Sequence, residues 1–208
     1  MQLSVWLTFF LACWAISISP GPGAIAAMSS GLDLGFRRGY FTTFGLILGI
    51  WTQFLLVVVG LGALIAASST AFTVLKVLGA AYLVWLGVSQ WRASEKPLVT
   101  ASDGQPRSRR ELVARGWAIN AVNPKGTVFL LAVVPQFLDL SRPLVPQYLV
   151  IAASLSFTDL VVMAGYTALA ARVLRSLNEA HHVRWMNRTF GGLFVLAGSV
   201  LATFRRGI

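Results

Sequence analysis

Two short motifs interrupt long apolar runs in this 208-residue chain: Ser19-Pro20-Gly21-Pro22-Gly23 and Asn123-Pro124-Lys125-Gly126. Proline has no amide proton and clashes with the carbonyl one turn earlier, so neither run continues as a regular helix through its motif. A helix restarting after Pro22 aims unpaired amides, and the positive end of its dipole, back at the break. Such an end suits a carboxylate. Asn123 and Pro124 set up a second break, expected to face the first. Two ionisable side chains lie deep in apolar segments, Lys125 and Asp159. Charges at that depth are costly and face a partner or a pathway. The economical reading pairs them or places them in one chamber. Asp159 then loads and releases a proton as access alternates, and Lys125 contacts that carboxylate or a substrate's. A purely structural ion pair is the alternative. Gln53 and Thr52 are further candidates to line the chamber, with interhelical hydrogen bonding as their plainer use.

The elements that must position these residues are membrane helices. Hydrophobic residues make up 56% of the chain and charged residues 12%, against about 25% charged in soluble domains. The mean hydropathy is +0.72. A bilayer core needs about 20 apolar residues per helix, and six candidates are read: 3–29, broken at Ser19–Gly23; 39–66; 70–91; 116–138, broken at Asn123–Gly126; 145–171; and 189–204. The runs are apolar all round rather than one-faced. Lys and Arg concentrate in alternate loops, including Arg37, Arg38, Arg110, Arg115 and Arg184. That side is expected to be cytoplasmic, which places both termini in the periplasm. Asp33, Arg37 and Arg38 read as a solvated first loop. The opening MQLSVW has no basic n-region, so the first apolar segment is expected to be retained as a helix.

The +10 net charge is therefore topological, and no nucleic-acid partner is expected. Cys13 is the single cysteine. It excludes a disulfide within the chain and a Cys-based metal site, and reads as a small packing residue. The adjacent His181 and His182 read as surface residues, and no metal site is expected. There is no Walker A sequence and no GxSxG elbow, so neither ATP drive, nor an enzyme, nor a cofactor is indicated. Gly45 and Gly49 form a GxxxG suited to close helix packing.

The segment 94–115 is polar and rich in Pro, Ser and charge, and reads as a cytoplasmic linker. It divides the chain into 1–93 and 116–208, three helices each. Each half opens with a proline-broken helix. Each closes with a helix that carries a basic residue three positions before a glycine: Lys76 before Gly79, Arg188 before Gly191. A three-helix repeat must insert its second copy upside down. The expected fold is an all-α integral membrane protein of two inverted three-helix repeats, with the substrate site where the broken helices meet.

These residues also carry a resemblance. ISPGPG at Ile18–Gly23, LKVLGAAYLVWLG at Leu75–Gly87, NAVNPKGTVFLLAVVPQF at Asn120–Phe137, Asp159, and WMNRTFGGLFVLAG at Trp185–Gly198 resemble the LysE/RhtB family of amino-acid exporters. The resemblance covers nearly the whole chain outside the linker. It implies secondary efflux of an amino acid or close derivative, driven by proton exchange, in a bacterial inner membrane. The residues it marks are Pro20, Gly21, Pro22, Asn123, Pro124, Lys125 and Asp159; the wider candidate set adds Ser19, Gly23 and Gln53. Many members place an acidic or strongly polar residue soon after the helix-2 glycine. Here Gly49 is followed by Ile50 and Trp51, with Gln53 a little later, which leaves the substrate side chain open.

The leading expectation is a proton-coupled exporter of a small amino acid or derivative: threonine, homoserine, its lactone or leucine. Its partners are the amino acid, protons and the lipid bilayer, and a homodimer is compatible with so small a unit. Efflux of another solute or a cation is the runner-up, with only Asp159 and Cys13 as intramembrane ligands. A thiol relay needs two cysteines. A non-transporting scaffold needs no polar cavity joining the two breaks.

Overall fold

The computed structural model describes residues 2–67, 70, 74, 77–78, 81–82, 84–85, 88–89, 91–92, 108–177, 185, 188–189, 192, 195–196 and 199, with backbone only at 62–67 and 173–177. Among them every regular element is helical: α1 Leu3–Ile18, α2 Pro22–Gly39, α3 Phe41–Ala67, α4 Arg109–Ala121, α5 Pro124–Phe137 and α6 Leu144–Leu177. Most of the third and sixth candidate spans, Lys76, residues 93–107, His181 and His182 lie outside the described residues, although isolated positions such as Val77 and Leu196 are helical.

Two helices are long and apolar enough to cross a membrane unaided, over Phe41–Leu61 and Leu144–Arg172. Two further helix pairs are long and apolar enough together but bent at a short break: α1 with α2 at 55°, and α4 with α5 at 57°. Local chemistry sets both bends. Ser19, ahead of Pro20, is driven out of the helical region to ψ 121°, and Pro22 then takes the first position of α2. Asn123 caps α5, its Oδ1 accepting from the Lys125 amide at 3.1 Å, with Pro124 in the first turn.

Polarity is inverted relative to a soluble protein. Leu3, Leu7 and Leu11 form an exposed apolar stripe on α1, and Leu48, Leu55 and Val59 another on α3. Ser17, Thr42, Gln53, Asn120, Thr158 and Asp159 are buried. Outward apolar stripes of this size mark a surface that meets lipid. Two apolar clusters fill the interior. One gathers Phe9, Cys13, Phe54, Phe129, Phe137 and Ile151; the other gathers Ala24, Ala27, Met28, Leu46, Met163 and Ala170. α1 and α5 feed the first cluster and α2 the second, while Ile119 of α4 packs against the second. The two bent pairs therefore run in opposite directions.

Some boundaries differ from the sequence reading, for local reasons. α2 continues to Gly39, so Asp33, Arg37 and Arg38 sit on its last turns rather than in a loop, with a kink at Gly35, whose φ is 70°. α4 starts at Arg109 rather than 116, because Ser108 and Glu111 form a reciprocal capping box. Arg109, Arg110 and Arg115 are thus helical. α3 packs along α4 with backbones in contact. A Cβ on Gly45 would run into the Val113 carbonyl, and one on Gly49 would stand 2.7 Å from Asn120 Cβ. This close approach is the use expected of the GxxxG spacing.

Candidate functional site

The two breaks meet. Lys125 Nζ, carried on the first turn of α5, donates to Ser19 O and Ser19 Oγ, both at 2.8 Å, and to Pro20 O at 3.4 Å. The ammonium sits on the carbonyls left unpaired where α1 stops, at the negative end of that helix dipole. The preceding carbonyl, Ile18 O, accepts from the Tyr166 hydroxyl of α6. The second break receives the reciprocal service from the first half: Gln53 Nε2 donates to Asn123 O and to Thr127 Oγ1, each at 2.8 Å. Each break is therefore held by a side chain from the opposite half of the molecule.

These groups enclose a cavity of about 70 Å³ where the two apolar clusters adjoin, with Phe129 and Leu155 on one side and Ala24 and Met163 on the other. That is room for a few water molecules, so a bound amino acid requires the walls to part. Ser19, Gly21, Gly23, Gln53, Asn123, Lys125 and Asp159 all line it. Pro20, Pro22 and Pro124 do not; they shape it, and Pro22 and Pro124 are exposed on the far side of their half-helices. Thr52 points away from the cavity, taking a hydrogen bond from Trp117 Nε1 at 3.1 Å in an outer groove. Its neighbour Gln53 faces inward because successive side chains on a helix are about 100° apart.

Asp159 is 7% exposed and lies near the middle of the Leu144–Arg172 span. It shares the cavity with Lys125. The Ser17 hydroxyl, on the same cavity lining, donates to Thr158 Oγ1 at 3.2 Å. Lys125 is partly buried and lines the cavity as well as holding the Ser19 carbonyl. On the other wall α2 begins without a side-chain cap at Gly21. Its first amides, those of Gly23 and Ala24, have no intrahelical partner, and helix starts of this kind hold anions.

The lining residues absent from the candidate set include Ser17, Asn120 and Gly126. Asn120 anchors the wall by donating to Leu46 O at 2.8 Å while its Oδ1 accepts from Asn123 Nδ2 at 3.1 Å. It stands in the last turn of α4, three positions before the Asn123 cap of α5. Ser17, two positions before Ser19, carries no signal in the sequence. Gly126 matters because a Cβ there would stand 2.6 Å from Gln53 Oε1. That oxygen is buried and has no hydrogen-bond partner among the described residues, a situation that costs about 1–3 kcal/mol when no ligand or water meets it.

A multi-pass helical membrane protein with a small polar cavity between two broken spans has the architecture of a translocator. The chain belongs to the LysE type translocator family, whose model matches residues 14–204. It is 38% identical over 205 residues to the homoserine/homoserine lactone efflux protein of Salmonella typhimurium, covering 99% of each chain. It is 40% identical over 203 residues to an uncharacterized membrane protein of Vibrio cholerae, covering 98% of each. It is 27% identical over 205 residues to the leucine efflux protein of an Enterobacter strain, covering 97% of this chain and 96% of that one. No solved structure matches the chain.

Proposed function

We propose that the protein exports a small amino acid or close derivative by exchange with protons across the bacterial inner membrane, and that the cavity between the two breaks is its substrate site. The observation that carries this is Lys125 of the second break bonded to Ser19 of the first, in a cavity that also holds Asp159. The names of the efflux relatives support the solute class. The substrate carboxylate docks at the start of α2, on the Gly23 and Ala24 amides and the Lys125 ammonium. The substrate ammonium takes the Asp159 carboxylate.

Coupling follows from one carboxylate serving two cations. A bare buried charge is expensive, by several kcal/mol. Asp159 therefore changes face only when neutralised, by a proton in one direction and by the substrate ammonium in the other. The cluster around Phe9 and Phe137 closes one side of the cavity and that around Met28 and Ala170 the other. Parting one while the other stays packed gives alternating access. The halves 1–93 and 116–208, joined by 94–115, act as inverted repeats about the cavity. The opposite directions of the two bent pairs and their similar bends of 55° and 57° support this. Termini in the periplasm follow from the basic residues on α2 and α4 lying at the cytoplasmic end, and two copies can pair in the membrane.

The test loads cells with dipeptides of threonine, homoserine or leucine and measures the free amino acid released, with and without the protein. Faster release of at least one, abolished by Asp159→Asn at unchanged membrane abundance, is expected. Equal release of every amino acid with and without the protein would overturn the reading.

A further inference from the structure

The polar groups of the cavity leave one neutral acceptor uncommitted. Asn120 Nδ2 is spent on Leu46 O and Asn123 Nδ2 on Asn120 Oδ1, while Asn123 Oδ1 accepts from the Lys125 amide. The Gln53 amide nitrogen is spent on Asn123 O and Thr127 Oγ1. Gln53 Oε1 has no partner among the described residues, on a side chain only 1% exposed. Turning the amide over gives no relief. The oxygen would then face the Asn123 carbonyl at the 2.8 Å now spanned by the nitrogen, acceptor against acceptor. The amide is thus anchored by its donor side and presents its acceptor in a fixed direction. It presents it where Gly126 leaves the wall as bare backbone, since a Cβ there would stand 2.6 Å away.

We propose that Gln53 is the specificity-determining residue of the site, its Oε1 accepting a hydrogen bond from a hydroxyl on the side chain of the transported amino acid. This rests on the export reading above. A zwitterion has one anionic and one cationic end, and the cavity already offers Lys125 and Asp159 to them. With both charges placed, the open neutral oxygen on α3 is left for a neutral donor. A substrate hydroxyl that enters beside the Gly126 backbone supplies the oxygen's missing bond, with both Gln53 donors left in place. An aliphatic side chain of the same shape leaves the oxygen bare. Sites built to bond a substrate hydroxyl reject the analogue lacking it by about 10⁴-fold, whereas plain apolar pockets discriminate by only about 10–200-fold.

The experiment uses the full-length protein in proteoliposomes and compares amino acids of matched shape: threonine against valine, and homoserine against norvaline. The wild type is expected to favour the hydroxy member of each pair in kcat/KM by about 200-fold or more. Gln53→Met keeps the length of the side chain and removes the acceptor. It is expected to bring both ratios within about tenfold, with the aliphatic member gaining. Gly126→Ala pushes the oxygen aside while leaving every Gln53 partner in the chain, and is expected to lower the ratios too. If Gln53→Met does not assemble, the wild-type ratios and Gly126→Ala decide. Equal transport of both members by the wild type, or unchanged ratios in the variants, overturns this proposal and leaves export standing. A wild type that moves no amino acid overturns both.

Discussion

The two breaks solve one problem with different chemistry. At Ser19–Gly23 the freed carbonyls are held by a cation on a long, flexible side chain, Lys125. At Asn123–Gly126 they are held by a short neutral amide, Gln53, which also reaches Thr127. A lysine ammonium has three donors and a flexible stem, so it can leave a carbonyl for a passing carboxylate at little geometric cost. A buried glutamine with both donors engaged cannot leave without stranding them. In the proposed export cycle the first break is therefore the releasable one, and the second is the fixed frame against which it moves.

Replacing the releasable contact should have the largest effect. Lys125→Met removes a charged hydrogen bond of up to about 3 kcal/mol and is expected to lower export by roughly two orders of magnitude. Lys125→Arg should restore part of it, because the charge returns on a stiffer, planar head. Export that survives Lys125→Met at near wild-type rates would erase the distinction between the breaks.

The fixed frame is probed by Gly126→Ala, whose methyl would stand 2.6 Å from Gln53 Oε1. Overpacking of this kind costs about 1–3 kcal/mol and should appear as a lower thermal midpoint in detergent. Asn123→Ala removes the cap of α5, with a loss of about 1 kcal/mol. For a chain of this size that is a drop of about 2–4 °C. The smallest effect belongs to the releasable side. A Cβ on Gly21 would meet Lys125 Cδ at 3.4 Å and Nζ at 3.5 Å, ordinary contact distances. Gly21→Ala is therefore expected to shift stability by less than about 0.5 kcal/mol. A Gly21→Ala loss as large as that of Gly126→Ala would mean the first break is as rigid as the second.

The membrane class, the two breaks and the sharing of one cavity by Lys125 and Asp159 were all legible, because each violates a rule that lipid enforces strictly. Proline in an apolar run and charge in hydrocarbon have few cheap explanations. The capping box of Ser108 and Glu111 stands in Ser-Arg-Arg-Glu, but the polar composition there reads as linker to 115; the box gives α4 its start at Arg109. The continuation of α2 past Asp33 was not legible, since the chain there is polar and glycine-rich and its helix is set by packing along α6.

What the amino-acid order determined by itself was where helices had to stop and which side chains could not rest in lipid, since both follow from covalent structure and solvation at single positions. Only the tertiary structure decided the partners: Lys125 on Ser19, Gln53 on Asn123, and Thr52 turned outward while Gln53 turns in. Those pairings span about 70 to 106 positions of chain. They exist because helices from the two halves bring their polar faces together, the one place in a bilayer where each unpaired backbone group can find a donor.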